Sequence, residues 1–568
     1  MMNRIFYLLV FLFIFSSCKK DTPSTPPSQE AIKIESVSPG TAQFGDTIII
    51  KGSRFPANPT VKFRETTAWV ISSSATEIKV IMPDIEAGTL RILVSSGNQA
   101  SNYFNITAAS SVKEILVRGT KYLVDTVSNY DAGPGIRFIA LNLTNASAPL
   151  KVFLLEMNRN NQYLDFKPVL GGDSTTRRET IVSMSQRKSK PGENYIAGIN
   201  GDFFNTSTGR PLQGTIIDEI AGIMPTNPAE NYLVIDNAKK MYAGKLTYSG
   251  SVTTATSSTI SIADVNNTRN TGQLILYNKY NGKSTKTNTS GSEVVVVPVS
   301  GSTWGLNKNI SLRVSQAHFD AGNSTIPEEG AVLSGSGTAA TFLKTLSVGD
   351  VVTVKLNLIS QETPGLAIKQ VIGAHDYMLR NGSFINSDWN ERHPRTGVGF
   401  SADGDKIYYI VVDGRLTASV GVTTYQLADI LRLSGAAYAV NLDGGGSSAM
   451  FVKEVGIVNT PSDGSPRAVG NALFTISSAP EDNQITRIAA DKYNLRVSKG
   501  QSITIKALGY NQYGALVNAN LGSVSLSCAP ELGTISGNTF TASNTNAIAG
   551  NITVSYNNIK EYVKVRIY

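Results

Sequence analysis

The sequence is poor in cysteine, histidine and tryptophan, with two, three and three among 568 residues. Two cysteines exclude a disulfide framework and any multi-cysteine zinc site. Charged residues reach only 17%, below the usual quarter, which argues against coiled coils and helical arrays. The net charge of +8 is mild for this length and comes with no dense basic run, so nucleic acid is not the expected partner. Beyond the N-terminus no segment is apolar enough to span a bilayer, which takes about 20 residues. What is present is a hydrophobic fraction of 41%, enough for packed cores and too much for a disordered chain. Ser, Thr, Asn and 50 glycines fill the gap left by charge. That mix suits strands and turns on a secreted scaffold. The length exceeds one ordinary domain of about 100–200 residues.

Residues 1–17 read MMNRIFYLLVFLFIFSS, with Arg4 ahead of eleven apolar residues, Ile5 to Phe15. This is the pattern of a signal-peptide core and is too short for a membrane span. Ser16 and Ser17 lead directly to Cys18, which resembles the lipobox of bacterial lipoproteins with Phe15 in place of the usual Leu. The resemblance implies cleavage before Cys18, its acylation and attachment to a membrane through lipid. The expected place is the bacterial cell envelope, at the outer membrane. The polar, Pro-rich stretch that follows reads as a flexible tether over 18–31.

Residues 32–108 alternate in short strands punctuated by Pro39-Gly40 and Gly45-Asp46, a pattern for a small β-sandwich. The run SVSPGTAQFGDTIIIKGSRF resembles the opening of IPT/TIG domains, an immunoglobulin-like family of spacers and binding modules. Residues 482–568 form a second all-β unit, similar to bacterial immunoglobulin-like domains. Cys528 within it has no partner once Cys18 is lipidated and reads as a small buried hydrophobe. Between them, 112–478 mixes strands and helices. Thr423 and Gln426 fit a capping box, Leu427, Ile430 and Leu431 fall on one helical face, and Gly435 stands at the stop. A second helix is expected in ETIVSMSQRKSK, 179–190, and YAVNL, 438–442, reads as a buried strand. The Thr/Ser/Asn-rich stretch from about 240 to 300 reads as a β elaboration. The fold class is therefore multidomain: an α+β catalytic domain with extensive mixed β-sheet, flanked by two immunoglobulin-like β-sandwich domains.

Polar residues gather around glycines in the middle region. GINGDFF, 198–204, ends a strand at Asn200-Gly201-Asp202; alone it reads as a β-turn. ERHPRTGVGF, 391–400, places Arg395 at the start of a strand, where its planar fork can meet phosphate or carboxylate. YYIVVDGR, 408–415, delivers Asp413 and Arg415 from an apolar strand, again with the spelling of a turn. NLDGGGSSAMFV, 441–452, is the most informative: Asp443 ends a buried strand, then come Gly444, Gly445, Gly446, Ser447 and Ser448. Three adjacent glycines cost backbone entropy, and their N–H groups can approach an anion as a nest. RAVGNALF adds Arg467 and Asn471. GSGTAA, 335–340, fits a dinucleotide fingerprint, but the following helix is too short and the expected acidic residue is absent.

In this order the segments resemble the phosphodiester glycosidases, over about 112–478. The resemblance implies hydrolysis of the bond between an anomeric carbon and a phosphodiester oxygen, with N-acetylglucosamine 1-phosphodiesters as the known substrate type. The leaving phosphate is already a stable anion and needs charge stabilisation more than a strong acid. On this reading Arg395 and Arg467 bind the phosphate. The nest at Gly444 to Ser448 adds donors. Asp443, Asp202 and Asp413 are the candidate carboxylates for an oxocarbenium-like transition state, with Asp443 favoured for its place between strand and nest. Asn200, Asn471 and Arg415 are candidates for substrate contacts. His375 and Asp376 stand where many relatives carry a glycine-rich segment, and either alter substrate specificity or make a local structural contact. No cofactor is required on this reading; a Ca or Mg ion held by the aspartates is the weaker alternative. The expected partner is a phosphodiester-linked glycan, and the rival reading is a non-catalytic glycan-binding surface lipoprotein.

Overall fold

A computed structural model describes residues 31–568, apart from 84, 86, 110–112, 386–388 and 545–547. The signal peptide, Cys18 and the tether as far as residue 30 lie outside the described residues. The chain divides after residue 109 into two compact units. Nearly all strand pairs are antiparallel, with a few parallel pairs that make the sheets mixed.

In the first unit, β-branched residues alternate with polar ones, and each strand turns one face inward. Lys33–Ser38, Thr47–Ser53, Glu77–Ile81 and Trp69–Ser73 form a four-stranded sheet. Thr60–Phe63, Gly88–Ser96 and Phe104–Ala108 belong to a second sheet. Ile48, Ile50, Ile78 and Val80 from the first meet Val61, Phe63, Ile92 and Ile106 from the second in one buried cluster.

The second unit is richer in strand than an α+β expectation allows. Its α-helices among the described residues are Ile181–Lys188, Thr338–Leu343 and Thr424–Leu433. The last starts where the capping box placed it: the Thr423 side chain accepts from the Gln426 N–H, and the Gln426 side chain returns to the Thr423 N–H. Leu427, Ile430 and Leu431 are buried against the sheet, and Gly435 follows at φ 111°.

A nine-stranded sheet carries, side by side, Leu150–Asn158, Lys406–Val412, Arg395–Phe400, Tyr438–Asn441 and Asp376–Arg380. A five-stranded sheet has the order Leu164–Leu170, Asn471–Ser477, Asn194–Asn200, Met450–Val452, Gly456–Ile457. A twelve-stranded sheet absorbs the Thr/Ser-rich stretch and includes Thr215–Ile217, Asn231–Asp236 and Ile368–Ala374. Val398, Tyr409 and Val440 of the first sheet, Ile199, Met450 and Leu473 of the second, and Leu233 and Ile372 of the third share a single core. Three sheets therefore converge, and their strand ends form one rim.

The C-terminal segment joins the same core through Leu508 and Tyr510. It is fastened to the strand Thr120–Gly133 by Arg487 on Asp131, 2.8 Å, and by the Ser128 hydroxyl on the Asp491 carbonyl, 2.8 Å. Cys528 is half-buried there, its thiol raised by burial.

Candidate active site

The glycine-flanked segments meet at the rim. The pairing Gly397 with Asn441, carried two residues on, sets Arg395 opposite Asp443. The Leu442 N–H bonds to the Thr396 carbonyl and confirms the register. Asn200 pairs with Ala472, which puts Gly201 beside Asn471. The Gly201 N–H then donates to the Asn471 carbonyl, and the Asp443 N–H donates to the Gly201 carbonyl. Asp202 and Asp443 thus arrive from two different sheets at one point.

Asn200 is completely buried. Its Nδ2 donates to the Asp443 carbonyl at 2.7 Å, and its Oδ1 accepts from the Thr396 hydroxyl at 2.7 Å and from the Ala449 N–H at 3.2 Å. Asn471 is equally buried: its Oδ1 accepts from the Asp202 N–H at 2.7 Å and its Nδ2 donates to the Thr215 hydroxyl. These two amides pin the carboxylates in place. A Cβ on Gly201 would stand 2.3 Å from Asn471 Oδ1, so only glycine lets this junction close.

The two carboxylates differ. Burial holds Asp443 up to about 6, offset in part by the Ser447 hydroxyl, the Gly444 N–H and the Arg467 charge. Burial raises Asp202 well above the usual carboxylate range, and the Asp443 charge raises it further. Asp202 Oδ2 accepts from the Gln213 N–H at 2.8 Å, while its Oδ1 is buried with no partner among the described residues. Both carboxyl groups are thus held above the usual carboxylate range, Asp443 to about 6 and Asp202 by its complete burial.

Asp413 stands behind the glycine loop. It is buried, and both oxygens accept from the Thr460 N–H at 3.1 Å while Oδ1 also accepts from Asn459 Nδ2 at 3.0 Å. Asn459 in turn bonds the Ser448 carbonyl and accepts from the Met450 N–H. Burial raises Asp413, and these donors pull it back. The geometry makes it a brace for the loop.

The loop itself differs from an open nest. The N–H groups of Gly445, Ser447 and Ser448 donate to Pro394, Gly444 and Gly445 carbonyls, and that of Gly444 serves the Asp443 carboxylate. In the 3-10 turn over Gly445–Ser447 the Ser447 and Ser448 N–H groups are spent within the loop. The glycines instead admit arginines. Arg415 Nη2 lies 3.2 Å from where a Cβ on Gly445 would stand, and Arg467 Nη2 lies 2.1 Å from the equivalent point on Gly446. Arg467 also donates to the Ser447 hydroxyl at 3.2 Å and pairs with Asp463 at 2.6 Å. Arg415 is exposed, takes φ 61°, and approaches His393 Nδ1 at 3.3 Å. A non-glycine residue in that region costs about 1 kcal/mol or more, strain of the kind that gathers at functional sites.

Arg395 is not placed like these two. It is 2% exposed, its Nε and Nη2 donate to the Val422 and Glu391 carbonyls, and burial pulls it down to about 10. It is a buried cation that ties the loop before it to the start of the helix Thr424–Leu433. His375 sits at the rim, where the chain passes from the twelve-stranded to the nine-stranded sheet; its hydrogen bond to Asp376 holds it above the usual histidine range.

Several residues at the site had no signal in the sequence. Asn441 is completely buried with neither side-chain atom partnered among the described residues, and Gln213 Oε1 and Ser448 Oγ are likewise unpartnered. Thr396, Asn459, Asp463, Phe203 and Trp389 are brought in by tertiary contact. The Asp463 and Arg467 pair, four apart, is the one that spacing alone can suggest. Among the described residues no group of three or more His, Cys, Asp or Glu side chains converges as a metal site.

Residues 308–476 match the family model described as phosphodiester glycosidase, and residues 33–108 match the IPT/TIG domain model. The first match takes in His375, Arg395, Asp413, Arg415, Asp443 to Ser448, Arg467 and Asn471, and begins after Asn200 and Asp202. A prophage-derived uncharacterized protein, YomE of Bacillus subtilis (strain 168), is 42% identical over 96 residues, which are 17% of this chain and 14% of that relative's length. A crystal structure of a hypothetical protein from Synechocystis aligns with a TM-score of 0.48 at 16% identity, covering 79% of this chain and 81% of that one. The zebrafish N-acetylglucosamine-1-phosphodiester alpha-N-acetylglucosaminidase catalytic domain, auto-inhibited by its pro-peptide, aligns with a TM-score of 0.32 at 14% identity, covering 62% of this chain and 87% of that one. The second unit thus carries a domain of the phosphodiester glycosidase family, and the first unit is an IPT/TIG domain separate from it.

Proposed function

We propose that the second unit hydrolyses the anomeric C–O bond of a sugar 1-phosphate diester in a surface or host glycan, from a chain anchored to the outer membrane through acylated Cys18. The observation that carries this reading is the convergence of Asp202 and Asp443 from two sheets at one junction, beside two arginines on a glycine loop. Arg415 and Arg467 take the phosphate oxygens, as charge-assisted donors do. Asp443 acts on the anomeric carbon, as base to an attacking water or as nucleophile. The electron pair of the breaking C–O bond goes to the phosphate oxygen, which leaves as a phosphomonoester anion. Asp202 stands at the same junction and orients the sugar side of the site.

The test is a screen of sugar 1-phosphate diesters with the mature protein, run in isotopically labelled water. Label in the released sugar supports C–O cleavage; label in the phosphate makes the protein a phosphodiesterase of P–O bonds. Near-normal turnover by a folded Asp443→Asn protein overturns the assignment. The rival, a glycan-binding protein without turnover, draws support from the aromatic rings at the rim and predicts binding with no product.

A further inference from the structure

Phe203, His375 and Trp389 form a ring cluster beside the two carboxylates. Ring centroids are 5.1 Å apart for Phe203 and His375, 5.9 Å for Phe203 and Trp389, and 5.0 Å for His375 and Trp389. The His375 and Trp389 planes meet edge to face at 79°. A packing cluster of three rings is normally buried, yet Phe203 and Trp389 are only half-buried and His375 is exposed. Phe203 directly follows Asp202, and the His375 N–H donates to the Asn441 carbonyl at 3.0 Å. The rings are therefore tied to the two buried side chains that keep unpartnered polar atoms, Asp202 Oδ1 and both side-chain atoms of Asn441.

A half-exposed aromatic wall, linked through the main chain to the junction that carries the carboxylates, fits a guest with an apolar face and a hydroxyl edge. A cationic guest is opposed by the Arg395 guanidinium, 5.6 Å from the Trp389 ring centre. The phosphate has its own donors in Arg415 and Arg467, which lie against Gly445 and Gly446 rather than against the rings. We propose that Phe203, His375 and Trp389 are the stacking platform for the pyranose ring whose anomeric carbon is attacked. This rests on the phosphodiester-glycosidase reading and assigns the sugar side of the same site.

The experiment uses the mature full-length protein with Trp69→Phe and Trp304→Phe, so that Trp389 is the only tryptophan emitting. Free hexoses and N-acetylhexosamines are titrated one by one, and inorganic phosphate separately. The expected result is a saturable change in Trp389 emission with at least one monosaccharide. Phe203→Leu, which keeps the bulk and removes the ring, weakens that binding about tenfold, the scale of one aromatic contact. Inorganic phosphate does not compete. No saturable change with any sugar overturns the platform. So does hydrolysis of a diester by Phe203→Leu and Trp389→Leu proteins, with melting temperature unchanged, at the parent KM; the functional reading then stands. Monosaccharide binding at Trp389 with no diester hydrolysed keeps the platform and removes the functional reading.

Discussion

Asn200 and Asp443, 243 residues apart in the chain, are joined by a 2.7 Å hydrogen bond from the Asn200 side chain to the Asp443 main-chain carbonyl. The bond couples the end of one sheet to the end of another at the point where Asp443 leaves its strand. Asn200 also serves the Thr396 hydroxyl and the Ala449 N–H. Asn200→Ala strips three buried groups of a partner at about 1–3 kcal/mol each, reduced by relaxation. The expected loss is roughly 2–4 kcal/mol in urea unfolding, together with a lower kcat and a smaller effect on KM. An Asn200→Ala protein with parent stability would mean that this junction is not what holds Asp443.

Asp443 links activity to pH. Its folded value of about 6 lies above the ordinary 3.8, so the fold binds its proton more tightly than the unfolded chain does. Its contribution to stability is therefore largest at low pH and is lost as pH rises from about 4 through about 6. At neutral pH the ionised carboxylate costs on the order of 3 kcal/mol. Asp443→Asn is expected to gain up to about 2 kcal/mol of stability at pH 8 and to lose turnover by roughly a thousandfold. In the parent, kcat/KM rises with pH through about 6. A rate that falls through that range excludes Asp443 as the ionised group.

Exposed and buried arginines separate in their effects. Arg415→Ala and Arg467→Ala each raise KM about ten- to a hundredfold, the scale of one charge-assisted hydrogen bond, with little change in melting temperature. Arg395→Met removes a donor from the Val422 carbonyl, which keeps the His393 N–H, and from the Glu391 carbonyl, and loses folding before it loses phosphate affinity. Titration of inorganic phosphate on the three proteins, beside their thermal unfolding, checks the order.

Gly446→Ala tests what the glycine run is for. Its Cβ would stand 2.1 Å from Arg467 Nη2 and 2.2 Å from Asp463 Oδ1, both ends of movable side chains. The backbone has room and the arginine must move. The expectation is near-parent stability with KM raised about as much as by Arg467→Ala. A Gly446→Ala protein that binds phosphate like the parent shows that Arg467 acts from elsewhere.

Glu293 is a contrasting carboxylate. It is fully buried in the twelve-stranded sheet and accepts from Thr285, Thr287 and Ser334 hydroxyls and the Ser324 N–H. Burial alone would raise it; these donors hold it below the usual range. Its folded value is depressed, so its contribution is present above about pH 4.5 and is lost as pH falls. Glu293→Ala is expected to cost about 3 kcal/mol at pH 7 and to leave kcat untouched. Loss of turnover in a folded Glu293→Ala protein would bring that sheet into the chemistry.

The Cys18 expectation is checked by fractionation. Cys18→Ala is expected to move the protein from the membrane fraction to the soluble envelope fraction and to abolish incorporation of labelled fatty acid. Membrane retention by Cys18→Ala would place the anchor elsewhere.

The sequence by itself determined the local features. Alternating β-branched residues spelled the strands, and Thr423 with Gln426 spelled the start of a helix, because capping and burial are set within a few residues. It also picked out Asp202, Asp443 and the glycine run, since a strand that ends in Asp-Gly leaves a mark. Tertiary structure decided what each polar residue does. Arg395 and Arg415 look alike in sequence, yet one is spent on carbonyls in the interior and the other lies open at the loop. Asn200 and Asn471, which the family resemblance offered as substrate contacts, are consumed by partners at the junction, because a meeting of three sheets leaves main-chain groups that a buried amide must satisfy. Asn441, Trp389 and Phe203 became visible only when the sheets were paired, for a side chain's exposure and its missing partners are properties of the packed molecule and not of the chain.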